Sequence, residues 1–365
     1  MPPTTLCWIL DSGGAGRGAW QGGVIHELMR WCSQQGCYPQ ISMGASAGGY
    51  AAADVATETE ATVLKGWTRW GCEEFLKDEA VPREQQSFWG LGKFRLHLRS
   101  SIRYVMGDSE VAAVFNGKPE KKLLIFTTRL RRRDGRPIQA GDLNRYFLKS
   151  LTRKLPRALK YSPQVYQEDP VVFATPLPAA LHTECVRPLS RWNYHSVIEA
   201  SCLVPLAMGW PLRPEEVNNG DPQRLGGDAN AVFLDGSFAM KMPMALFEED
   251  SRFRGLADWA RADKSVVFCC DPKGRLWETS ARLRFLNDER PTRKALRNGQ
   301  LLVISPDHPV EAGFLCHDNA VIMRTFRRGQ EQAERLLRSG SFPRFLELQP
   351  GALLPLTPMS ERGQG

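Results

Sequence analysis

Short apolar runs that stop at glycine, proline or aspartate recur along this chain, and longer stretches with apolar residues at helical spacing lie between them. Leu6–Leu10 is the first run. Ile41–Met43, Lys121–Thr128, Val171–Thr175, Ala231–Leu234, Ser265–Pro272 and Leu301–Pro306 follow. Runs of this length bounded by turn residues predict buried strands. Ala19 to about Gln34, Tyr50–Ala56, Ser196–Leu203 and Asn319–Arg338 predict helices, the third closed by Pro205. Residues 58–103 have a helical pattern with Trp67, Trp70, Phe75, Phe88, Trp89 and Phe94, a density that builds core or the wall of an apolar pocket. A Pro- and Gly-rich loop is expected over 210–228. Strands alternating with helices predict an α/β fold, and no repeat, low-complexity linker or boundary divides residues 5–345.

Charge adds two features. Arg129, Arg131, Arg132, Arg133 and Arg136, around Asp134-Gly135, read as an exposed basic hairpin or turn. Leu143–Leu155 interleaves apolar residues at helical spacing with cations. Such a helix either lies on an anionic membrane or sets its apolar face on the core. The formal net charge of +8 points toward anionic partners, nucleic acid or phospholipid headgroups. Charged residues at 24% and hydrophobic residues at 42% otherwise describe a soluble globular chain. No run approaches the ~20 apolar residues of a membrane span, and the N-terminus lacks a signal-peptide pattern. Nine cysteines without CxxC pairs point to reduced thiols and a cytoplasmic setting, peripheral at a membrane if the basic helix binds one. No His/Cys spacing suits a metal, and neither metal nor cofactor is expected.

Candidate chemistry sits in three places. Gly44-Ala45-Ser46-Ala47-Gly48 fits G-x-S-x-G, between a predicted strand and a predicted helix. Small neighbours are what a serine on a tight strand-to-helix turn needs; a small-residue packing turn is the alternative. Upstream, Asp11-Ser12-Gly13-Gly14-Ala15-Gly16-Arg17-Gly18 joins the first strand to the first helix, where backbone N–H groups can form an anion nest. A P-loop lysine is absent and the G-x-G-x-x-G spacing is broken, so an oxyanion loop fits better than a phosphate cradle. Downstream, Asp235-Gly236 ends a predicted strand, the position at which open α/β sheets place site residues, although Asp-Gly is also a common turn.

In this order the three landmarks resemble the patatin-like phospholipase family. Gly13–Val24 looks like its glycine-rich oxyanion loop and following helix. Ala200-Ser201-Cys202-Leu203-Val204-Pro205 is similar to the segment that precedes its catalytic aspartate, and Pro243 falls where its proline is usual. The resemblance covers roughly 5–340 and implies a three-layer α/β/α fold with a mostly parallel central sheet. Residues 150–195 look long for the family and are expected as an inserted cap, with 346–365 as a tail. The resemblance further implies a Ser–Asp dyad: Ser46 as nucleophile, Asp235 as general base, and amides at Gly13, Gly14, Ala15 and Gly16 as the oxyanion hole. Arg17, Gly18, Gly44, Gly48 and Gly236 complete the motifs. The implied substrate is a phospholipid or other acyl-ester lipid. Apart from the resemblance, the basic stretches make an anionic membrane surface the expected partner, and with no recognisable nucleic-acid module no nucleic acid is expected. Ala15, Ser237 and Lys241 depart from the family pattern, which leaves a silent lipid- or protein-binding module as an alternative. The rival enzyme is an α/β-hydrolase with a histidine base, for which His308 and His317 stand late enough in the chain.

Overall fold

Alternate residues of β1 (Leu6–Leu10) face opposite sides of a sheet, and both sides are buried. Leu6, Trp8 and Leu10 join one apolar cluster, while Cys7 and Ile9 join another. A strand covered on both faces has no polar alternation, which is why these runs are apolar throughout. The structure is a computed structural model and describes residues 4–70, 92–118, 120–151, 165–205, 208–218, 230–240, 243, 251–270, 298–313, 316 and 318–347.

Eight strands among the described residues form one sheet. They are β1, β2 (Ile41–Ala45), β3 (Lys122–Arg132), β4 (Tyr166–Thr175), β5 (Val186–Pro188), β6 (Val232–Asp235), β7 (Lys264–Phe268) and β8 (Leu301–Ile304). Their order is β5-β4-β3-β2-β1-β7-β8, with β6 paired to β3. Only β4 and β6 run antiparallel to β3, and the other pairings are parallel. The mostly parallel sheet flanked by helices is the expected α/β class.

One face carries α1 (Gly14–Gln35), α2 (Ala47–Ala56), α3 (Glu60–Arg69), α4 (Gly92–Val105), α5 (Asp108–Phe115), α7 (Tyr194–Cys202), α10 (Asn319–Arg338) and α11 (Ser341–Glu347). The opposite face carries α9 (Arg254–Trp259), through Leu256 and the neighbouring Phe253 and Ala260. Two further helices, α6 (Ala140–Leu151) and α8 (Pro214–Asn218), complete the α-helices among the described residues. Among the described residues no helix is long and apolar enough to cross a membrane.

Helix α1 starts five residues before the position its propensities suggest. Glycine weakens a helix by about 1 kcal/mol, but here close packing requires it. A Cβ on Gly23 would stand 1.9 Å from the Phe326 carbonyl, and one on Gly329 would stand 2.1 Å from that of Trp20. The paired glycines let α1 and α10 touch backbone to backbone.

Three expectations change, and one open alternative is narrowed. Strand β3 continues to Arg132, so Arg129 is not on an exposed hairpin. It is fully buried between Asp169 and Glu184, at 3.2 and 3.0 Å. Arg132 pairs with Asp134 and Asp142, and the exposed turn is confined to residues 133–136. Strands β4 and β5 lie within the stretch 150–195, so 166–175 and 186–188 belong to the sheet rather than to a cap. The loop expected over 210–228 contains α8. On α6, Leu143 and Tyr146 are buried against Leu130 and Tyr166, which places that part of its apolar face on the core. Phe75, Phe88, Trp89, Lys241 and His317, like the stretch 152–164, lie outside the described residues.

Candidate active site

Strands β2 and β6 reach the same edge of β3 from opposite directions. Ala45, the last residue of β2, pairs with Phe126, whereas Asp235, the last residue of β6, pairs with the adjacent Thr127. The ends of two strands therefore meet head to head, and the residues at that junction are Ser46 and Asp235. The aspartate does end its strand, as expected, but the strand is antiparallel to its neighbour.

Close packing shapes the turn at Ser46. Its backbone has φ 57° and ψ −133°, a left-handed conformation that L residues rarely hold and that costs on the order of 1–3 kcal/mol. The surrounding glycines make it possible. A Cβ on Gly44 would stand 2.0 Å from the Gly48 carbonyl, and one on Gly48 would stand 2.3 Å from that of Leu10. At Gly18 a Cβ would stand 3.0 Å from that of Ala47, so this glycine brings α1 against the start of α2. On the aspartate side, a Cβ on Gly236 would lie 2.2 Å from the Phe126 carbonyl.

The Ser46 hydroxyl donates to Asp235 Oδ2 at 2.6 Å. Asp235 is fully buried and Ser46 is 3% exposed, so the bond is shielded from bulk water. The second carboxylate oxygen, Oδ1, accepts from the Ser237 amide at 2.8 Å, and Thr128 Oγ1 donates to the Asp235 carbonyl at 2.8 Å. Both groups are also held from α7. The Ser46 amide donates to Ser201 Oγ at 3.0 Å, Cys202 Sγ donates to the Ser46 carbonyl at 3.1 Å, and the Asp235 amide donates to the Leu203 carbonyl at 2.9 Å. Burial, and then the charge of Asp235, push the Cys202 thiol well above its ordinary range, so it remains a donor. These contacts of Ser201, Cys202, Leu203 and Thr128 were not foreseen; the segment 200–205 stood out only by its similarity to a family motif.

The glycine-rich loop divides. Gly14 and Ala15 line a pocket with Ser46, at the first turn of α1, where N–H groups have no intrahelical acceptor. The positive end of the helix dipole faces the same way. Gly13 packs on Cys270 Sγ and Gly16 on the backbone of Ala312 and Gly313. The Arg17 side chain is exposed. The pocket, about 530 Å³ with the part open to solvent, has apolar walls from Trp67, Trp70, Leu98, Val204 and Met208. The aromatic residues 67 and 70 thus serve as both core and pocket wall.

Among the described residues that line the pocket there is no histidine. His26 bonds to Glu27, His195 bonds to the Met106 carbonyl at 2.7 Å, and His182 and His308 are exposed. Among the described residues no group of His, Cys, Asp and Glu is placed to hold a metal ion. The patatin-like phospholipase family model matches residues 9–248, a span that contains the glycine-rich loop, Ser46 and Asp235. No curated protein matches the chain.

Proposed function

The chain belongs to the patatin-like phospholipase family, a family of lipid acyl hydrolases, and from that premise we propose that it cleaves acyl esters of phospholipids or related lipids with a Ser46–Asp235 dyad. The observation that carries the assignment is the direct 2.6 Å bond from Ser46 Oγ to Asp235 Oδ2, with no third side chain between them.

Asp235 takes the Ser46 proton as Oγ attacks the ester carbonyl carbon. A solvated aspartate, with a reference pKa of ~3.9, is a weak base for a hydroxyl. Here the carboxylate is withdrawn from bulk water and already holds the hydroxyl at hydrogen-bonding distance, so the transfer needs no diffusional encounter. The negative charge that develops on the carbonyl oxygen falls to the amides of the glycine-rich loop, with Gly14 and Ala15 the best placed of the four and Gly13 and Gly16 contributing through the loop's shape. Collapse expels the alcohol, which takes the proton from Asp235, and leaves an acyl ester on Ser46. Water, deprotonated by Asp235, then releases the fatty acid and restores the serine. The apolar pocket walls suit an acyl chain. The net charge of +8 and the exposed cations Arg133, Arg136 and Arg145 support approach to an anionic lipid surface.

The deciding experiment compares wild type with Ser46→Ala on fluorogenic esters and phospholipid vesicles, alongside a fluorophosphonate probe. Hydrolysis and labelling confined to wild type support the dyad. Labelling of the variant at another residue would show that the nucleophile has been misassigned.

A further inference from the structure

Three consecutive residues at the end of α7 bond to both members of the dyad, and the central element is a single hydroxyl. Ser201 Oγ accepts from the Ser46 amide at 3.0 Å and donates to the Phe126 carbonyl at 2.7 Å. Phe126 pairs with Ala45 and abuts Gly236, so its carbonyl lies at the junction of β2 and β6. At φ 57° the backbone of Ser46 turns off the sheet, and its N–H reaches β3 only through the Ser201 hydroxyl. One hydrogen is donated and one lone pair is filled, in a side chain with no solvent exposure. Gly49 leaves the room required, because a Cβ there would stand 2.7 Å from Ser201 Oγ. The neighbours add two more ties, Cys202 Sγ to the Ser46 carbonyl and Leu203 carbonyl to the Asp235 amide.

We propose that Ser201 is a positioning residue, whose hydroxyl, inserted between the Ser46 amide and the Phe126 carbonyl, holds the strained turn at Ser46 so that Oγ meets Asp235. The role rests on the dyad mechanism above. A strained turn persists only where its surroundings over-determine it. Removing the hydroxyl leaves a buried donor and a buried acceptor unmatched, and the turn can relax toward an ordinary conformation. Relaxation carries Oγ away from the carboxylate, while the pocket that receives the acyl chain keeps its walls. Loss should therefore fall on the chemical step.

The test compares Ser201→Ala with Ser42→Ala, which deletes another buried hydroxyl, one that links β2 to the Ala52 carbonyl of α2 without touching Ser46. Each variant is assayed well below its melting temperature, and exchange of the Ser46 amide is followed by hydrogen–deuterium exchange. Ser201→Ala should lose about 10²-fold in kcat, the cost typical of a misplacement near 1 Å, with KM within about threefold. Its Ser46 amide should exchange at least about tenfold faster. Ser42→Ala should lower the melting temperature yet keep kcat and Ser46 exchange. Ser201→Cys, which retains a weak donor and acceptor, should be intermediate, and it gives the same readout should the alanine variant not fold. Wild-type kcat in folded Ser201→Ala overturns the role, as does a change confined to KM, or a loss of kcat without faster Ser46 exchange. If the wild type neither hydrolyses esters nor takes the fluorophosphonate, the dyad mechanism has failed; Ser46 exchange in Ser201→Ala then still decides whether the hydroxyl holds the turn.

Discussion

Ala45 and Asp235 face consecutive residues of β3, Phe126 and Thr127, from opposite directions. That relationship sets the reach between the Ser46 and Asp235 side chains. Because both strand ends are anchored on one edge of a third strand, the Ser46 and Asp235 side chains have little freedom to separate. The 2.6 Å bond between them is a property of the sheet register as much as of the side chains.

The proposed dyad uses no histidine, and mutants can test this. Ser46→Ala and Asp235→Asn should each lose hydrolysis by several orders of magnitude. Single alanine variants of His26, His97, His182, His195, His308 and His317 should stay within about tenfold of wild type. A folded His308→Ala or His317→Ala as inactive as Ser46→Ala would instead establish a triad. Steady-state kinetics on one soluble ester suffices.

Binding to lipid should depend on charge. Vesicles containing anionic lipid should sediment the protein better than neutral ones, and added salt should release it, because screening limits exposed charges to about 8 Å at physiological ionic strength. The cations that matter are those without buried carboxylate partners. Arg136→Glu combined with Arg145→Glu should weaken binding, whereas Arg129, held by Asp169 and Glu184, contributes structure rather than attraction. Equal sedimentation at every salt concentration and lipid composition would rule the attraction out.

Helix α7 is tied to the pocket wall through Glu199, which accepts from Arg95 Nε at 2.8 Å and Arg99 Nε at 2.7 Å. Both arginines lie on α4, whose Leu98 and Ser101 line the pocket. Glu199→Ala leaves the nearly buried Arg95 without its carboxylate and should destabilise the fold by roughly 3–5 kcal/mol, as truncation of one partner in a buried ion pair does. Urea unfolding measures it. A shift below 1 kcal/mol would mean that the pair is solvated in solution.

Asp54, in α2, is fully buried, and neither carboxylate oxygen has a hydrogen-bond partner among the described residues. Burial pushes its carboxyl well above the ordinary value of 3.8. A raised acid binds a proton in the folded chain that the unfolded chain has released. Its contribution is therefore complete below about pH 3.8 and is lost as pH rises through the folded pKa. Asp54→Asn keeps the shape of the neutral acid without the titration. The variant should melt with wild type near pH 4 and progressively above it toward about pH 7. Parallel melting curves across that range would place a partner on the carboxylate.

Much of the architecture was legible because burial on two faces writes itself as uninterrupted apolar runs. β1 and α10 match their sequence boundaries, and the α/β class follows from the alternation of runs and helical periods. The glycine spacing around Ser46 was equally plain, since only absent side chains let a strand, a turn and a helix come this close. Local pattern misjudged positions decided by distant partners. The glycines of α1 look like helix breakers until Phe326, Ala312 and Gly313 are set against them. Arg129 looks like surface charge until β4 and the segment before β5 supply Asp169 and Glu184. Ser201 stood out only through the family resemblance of its segment, and its role did not, because its bonds to Ser46 and Phe126 join residues far apart in the chain. Sequence alone named Ser46 and Asp235 as candidates, through the turn chemistry around each. That they meet was decided by tertiary structure, because register on β3, which no local pattern encodes, brings the ends of β2 and β6 together.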